Sequence, residues 1–92
     1  MDEKKYINLR KKLMYQCTHR GTRELDILLG AYAKKNLVNL TKKQLKELNL
    51  ILKYNDRKLF LIFTKKMKPP KIIYNQTLKS IILFNRNINI NV

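Results

Sequence analysis

Apolar residues recur along this chain at helical spacing. Tyr6, Leu9, Leu13 and Cys17 fall at i, i+3, i+7 and i+11 and form one stripe. Leu25, Leu28, Leu29, Tyr32 and Ala33 make a fuller face at i, i+3, i+4, i+7 and i+8. Thr18-His19-Arg20-Gly21 separates the two stripes, which places a turn at Gly21 between helices one and two. Asp2 is the expected N-cap of the first helix. A third helix has the strongest start signal. Thr41 and Gln44 spell a T-x-x-Q capping box, and Leu40 and Leu45 are spaced as a hydrophobic staple. Leu45, Leu48 and Leu52 continue its apolar side. Asn55 or Asp56 starts a short fourth helix with Leu59, Phe60 and Phe63 on one side. A basic linker, Lys65 to Lys68, leads to Pro69-Pro70, which cannot continue a helix. Tyr74, Leu78, Ile81 and Ile82 align for a fifth.

These elements predict an all-α fold, a single compact bundle of about five short helices over residues 1–84. Beyond Phe84 the chain alternates Asn and Ile. That period reads as a strand, but a terminus without a partner strand is expected to fray, so residues 85–92 are expected to form a flexible tail.

Ninety-two residues suit one domain. No run approaches the ~18 apolar residues of a membrane span. The start, MDEKKY, has no apolar signal segment, and its two acids disfavour a transit peptide. The single cysteine cannot form an internal disulfide. The expectation is therefore a cytoplasmic monomer with no membrane insertion.

A net charge of +15 makes nucleic acid a candidate partner, through clusters such as Lys42-Lys43-Lys46 and Lys65-Lys66-Lys68. The excess, however, is sixteen lysines against five arginines, and arginine is the better fork for phosphates and base edges. Ten isoleucines and ten asparagines accompany the lysines, and all three residues share A/T-rich codons. Base composition of the gene accounts for part of the charge.

Catalytic chemistry finds little support. Cys17 and His19 have no second Cys or His beside them, whereas a structural metal site needs about four ligands. Cys17 continues an apolar stripe, which favours a buried thiol over a nucleophile. Gly21 and Gly30 lie too far apart for a glycine-rich phosphate loop. Glu24 and Asp26, two apart on a helix, point roughly 200° from each other and cannot share a substrate.

A surface remains. With Leu25, Leu28, Leu29 and Tyr32 facing a core, Ile27 points outward between Arg23 and Glu24, and Arg20 borders it if the helix extends that far back. An outward apolar residue ringed by charges fits the centre of a protein contact. It equally fits a solvated face on which Arg23–Asp26 and Arg20–Glu24 form ordinary i, i+3 and i, i+4 pairs.

The stretch Arg20-Gly21-x-x-Glu24-x-Asp26 resembles the RGxxExD signature of the succinate dehydrogenase FAD assembly factors. The similarity extends through Leu9 to Ala33, including Leu28-Leu29-Gly30, and through Leu40 to Asp56 with its terminal acid. With Pro69-Pro70 it covers roughly residues 6 to 70. Such a resemblance implies a five-helix bundle that acts as a chaperone and not as an enzyme. It implies binding to the flavoprotein subunit of succinate dehydrogenase, or of the related fumarate reductase, before other subunits assemble. FAD would then attach itself to a histidine of that flavoprotein, and the factor would hold no cofactor or metal stably. Carried over, Arg20, Gly21 and Glu24 form the contact centre, with Arg23, Asp26 and Ile27 beside them. Arg20 would fork onto a partner carboxylate or carbonyl, and Gly21 would let the partner backbone approach. The chain departs from the family, which often has a tryptophan near Ile62 and a glycine near Lys65, in having no tryptophan at all and a strongly basic composition.

Overall fold

The structure, a computed structural model, describes residues 2–86. Five α-helices follow in order: α1 (Asp2–Thr18), α2 (Arg23–Asn36), α3 (Lys42–Ile51), α4 (Asp56–Phe63) and α5 (Gln76–Asn85). Single 3₁₀ turns, Leu37–Asn39 and Lys71–Ile73, complete the connections, and no strand occurs among the described residues. The all-α bundle is as expected from the periodicity.

Helix starts are set by side chains that satisfy the free N–H groups of a first turn. Thr41 accepts from the Gln44 N–H, and the Gln44 side chain accepts from the Thr41 N–H at 2.9 Å, so the capping box forms as the sequence predicts. Between the two candidate caps of α4, Asn55 takes the role, accepting from the Lys58 N–H at 2.9 Å. Asn75 does the same for α5 through Leu78. The first helix begins at Asp2 itself, one position earlier than a cap at that residue would give.

α1 lies along α2, while α3 crosses α5 and both α4 and α5 pack onto α2. The core takes Leu13 and Cys17 from α1, and Leu25, Leu28, Leu29 and Ala33 from α2. Leu45, Leu48 and Ile51 of α3 join Leu59 and Ile62 of α4 and Leu78 and Ile81 of α5. Gly30 is buried where α2 passes α1, and a Cβ there would lie 3.7 Å from the Cys17 carbonyl, in ordinary contact.

The end of the chain differs from expectation in two places. Tyr74 lies outside α5 and is exposed, because Asn75 caps the helix after it. Asn85, expected to open the tail, is the last residue of α5 and is buried. Its amide donates to the Leu28 carbonyl at 2.9 Å and to the Ile81 carbonyl at 3.0 Å. The alternating segment 87–92 lies outside the described residues.

Candidate functional surface at the start of helix two

The connection from α1 to α2 is built from short polar contacts. Thr18 returns its hydroxyl to the Met14 carbonyl at 2.8 Å, and the His19 ring stacks on Tyr15 with centroids 4.1 Å apart. Arg20 then turns inward. Its Nε donates to Asp56 Oδ1 at 2.8 Å, and its Nη2 lies 2.6 Å from the same oxygen. Nη2 also donates to the Tyr54 carbonyl at 3.3 Å. The Arg20 side chain keeps only 13% exposure and Asp56 22%, so water screens this pair little.

The backbone joins the same carboxylate. The Gly21 N–H donates to Asp56 Oδ2 at 2.9 Å, and the Arg20 N–H donates to Asp26 Oδ1 at 2.8 Å. A Cβ on residue 21 would lie 3.1 Å from Asp56 Oδ2, a tight approach. The φ of Gly21 is not in the left-handed region. Glycine is therefore favoured here by proximity to Asp56 and not by backbone handedness. Thr22 caps α2 by accepting from the Leu25 N–H at 3.3 Å.

This arrangement corrects two expectations. The local pairs Arg23–Asp26 and Arg20–Glu24 do not form; Arg20–Asp56 is the ion pair among the described residues. The reason is positional. α2 begins at Arg23, so Arg20 lies outside the helical ladder that would set it one turn from Glu24, and Asp26 bends back to the Arg20 amide. The partner of Arg20, and the group that approaches Gly21, both belong to this chain.

The signature thus divides. Arg20, Gly21 and Asp26 tie the turn together with Asp56. Arg23 and Ile27 are exposed, Ile27 at 37%, and Glu24 is half-buried. No hydrogen bond or ion pair engages Arg23 or Glu24 among the described residues. Glu24 borders an open hollow of about 310 Å³ shared with Thr22, Asp56, Arg57 and Phe60. Glu24 and Asp26 also sit in the first turn of α2, where the helix dipole favours negative charge.

Asp56 is the residue that sequence reasoning undervalued, by weighing it only as a cap. Its signal was available: Asn55 is the better cap, which leaves an acid without a local task, and that acid ends the stretch similar to the family. Cys17 matches expectation as a core thiol. Burial pushes its pKa up to about 12, partly offset by the nearby Arg20 charge, so it is no thiolate nucleophile near neutrality.

A family model described as the flavinator of succinate dehydrogenase matches residues 11–85. Among curated proteins, the chain is 42% identical over 71 residues to a mitochondrial succinate dehydrogenase assembly factor 2 from Dictyostelium discoideum, covering 77% of this chain and 50% of that protein. It is 36% identical over 69 residues to the protein of the same name from Cryptococcus neoformans, covering 75% and 38%. An FAD assembly factor from Acetobacter pasteurianus is 36% identical over 50 residues, 54% of this chain and 46% of its own length. The chain thus spans half or less of the length of these relatives. No solved structure matches.

Proposed function

The chain belongs to the flavinator of succinate dehydrogenase family, and from that membership we propose that it binds the flavoprotein subunit of succinate dehydrogenase, or of fumarate reductase, and promotes covalent attachment of FAD. The observation that carries this reading is the divided signature. Arg20, Gly21 and Asp56 hold the opening turn of α2 rigid, while Arg23, Glu24 and Ile27 are left facing outward with charge uncommitted inside the chain. A preorganised turn lowers the entropy lost on docking. Ile27 supplies a small apolar centre, and Glu24 can accept from an arginine of the partner across the hollow beside Arg57 and Phe60.

FAD belongs to the flavoprotein in this reading. Two backbone donors at this turn already answer carboxylates, Gly21 to Asp56 and Arg20 to Asp26, and the negative charge of Asp26, Asp56 and Glu24 around the turn disfavours a flavin phosphate there. In this reading the bond to flavin forms on the flavoprotein, and this chain holds its partner's geometry, acting in the cytoplasm as a monomer. No helix among the described residues is long and apolar enough to cross a membrane.

Co-expression with the flavoprotein, scored as covalent flavin by in-gel fluorescence, tests the reading. Glu24→Gln and Ile27→Asp should each lower the signal while helical circular dichroism and the urea midpoint stay unchanged. Full flavinylation with both variants combined, or with the factor omitted, removes the proposal.

A further inference from the structure

At the far end of α4 from Asp56, the chain carries a second surface with a different character. A groove of about 700 Å³ runs between the loop after α4 and the outer side of α5. Ile62, Met67, Ile82 and Leu83 give it an apolar floor, and Leu83 is 60% exposed. Lys65, Lys66, Lys68, Lys79 and Arg86 stand exposed around it, and no carboxylate lines it. None of the chain's six acids lines it, and Asp2 and Glu3 open α1. Asp56 and Asp26 answer Arg20 and Gly21, Glu47 accepts from the Thr77 hydroxyl at 2.7 Å, and Glu24 lies at the opposite end of α4. Five cations thus crowd one groove without a counter-charge among the described residues.

The loop is shaped at some cost to present them. α4 ends in a Schellman motif: the Lys66 N–H donates to the Leu61 carbonyl at 2.8 Å and the Lys65 N–H to the Ile62 carbonyl at 3.1 Å. The residue at its left-handed position is Lys65, with φ 62°, where glycine would fit without strain. Lysine there gives up backbone stability and places an ammonium group on the groove's rim. A backbone outlier of this kind points to use of the side chain. Rings hold two neighbouring ammonium groups in place. Lys79 Nζ lies 4.9 Å from the Tyr74 ring centroid and Lys66 Nζ 5.9 Å from that of Phe60.

We propose that this groove docks a partner-protein segment that alternates carboxylates with apolar side chains. Charge complementarity calls for several anions, and the floor calls for aliphatic or aromatic groups between them. A flat bilayer does not enter a concave groove. A nucleic-acid backbone brings phosphates but no aliphatic groups for Met67, Ile82 and Leu83. Residues 87–92 of this chain, Asn, Ile and Val, contain no acidic side chain to match five cations. This inference stands independently of the flavin reading, since it uses none of the residues at the start of α2.

Fluorescence anisotropy with the full chain and a labelled synthetic peptide alternating Glu with Leu and Phe tests it. Binding should weaken with salt, and Lys66→Glu combined with Lys79→Glu should raise Kd at least about tenfold. Both side chains are exposed, so the fold should persist, as circular dichroism can verify. Leu83→Asn should weaken binding at unchanged charge, and Glu24→Gln should bind as the parent chain does. Any of these results overturns the proposal: no binding, equal binding of the charge-reversed variant, equal binding of poly-glutamate, or binding that arises only after removal of residues 87–92. Displacement of the peptide by phosphatidylglycerol vesicles or by single-stranded RNA more readily than by unlabelled peptide also overturns it.

Discussion

Arg20 and Asp56, thirty-six positions apart, meet through two guanidinium nitrogens on one carboxylate oxygen, while the Gly21 N–H occupies the other oxygen. One side chain at the start of α4 thereby holds the turn that opens α2. The contact joins residues that no helical periodicity relates.

Asp56→Ala should cost about 1–3 kcal/mol, because it leaves the mostly buried Arg20 guanidinium without its charged partner. Urea unfolding of Arg20→Ala, Asp56→Ala and the double variant should give a double-mutant coupling energy clearly above zero. Strict additivity would show that the pair acts separately. Arg20→Lys should not restore the coupling, since one ammonium cannot reach both the carboxylate and the Tyr54 carbonyl as the planar fork does.

Gly21→Ala should be destabilising by about 1 kcal/mol, through contact and not through backbone strain. The added methyl group meets Asp56 Oδ2 at 3.1 Å, and that carboxylate is held by three donors, so it cannot swing aside freely. Combined with Asp56→Ala, the substitution should cost much less, because the obstacle is gone. Equal cost in both backgrounds, read from urea midpoints, would locate the requirement in the backbone.

Lys65→Gly should stabilise the chain by about 1 kcal/mol, since glycine adopts the left-handed position at the end of α4 without a Cβ clash. The expected readout is a higher urea midpoint at unchanged slope. A lower midpoint would mean that the lysine side chain contributes more to the fold than its backbone costs.

Cys17 predicts a pH signature. Burial pushes its thiol pKa up to about 12 in the folded chain from the ordinary 9.0. Protonated thiol is thus favoured by folding. Its contribution is fully present below pH about 9, where both states bind the proton, and is lost as pH rises from about 9 toward 12, where the unfolded chain releases it first. Stability of the parent chain should fall more steeply across that window than stability of Cys17→Ala. The native thiol should also react slowly with an alkylating reagent at pH 8, and rapidly in urea.

The division between what was and was not legible follows interaction range. The stripes of α1 and α2, the Thr41–Gln44 capping box and the core leucines are local patterns, repeated every three or four residues or satisfied within one turn. The resemblance around Arg20 to Asp26 likewise lay in contiguous residues, and the family match extends it to residues 11–85. That Ile27 and Arg23 face outward was legible from the inward set Leu25, Leu28, Leu29 and Tyr32, but the place of Arg20 was not. A helical wheel drawn from Arg20 assumes that Arg20 is helical, and α2 starts at Arg23. Asn85 shows the same limit, because its inward turn depends on the Leu28 carbonyl, far away in sequence.

The sequence by itself determined the five helices, the Thr41–Gln44 capping box, the apolar faces and the family, since each rests on contiguous residues or on spacing within a turn or two. Only the tertiary structure decided the partner of Arg20. A local pair on an exposed helix is worth a few tenths of a kcal/mol. A carboxylate brought in by another helix, shielded from water and shared with the Gly21 N–H, binds the guanidinium more strongly. Packing of α4 against α2 supplies that carboxylate, and it leaves Arg23, Glu24 and Ile27 to the outside.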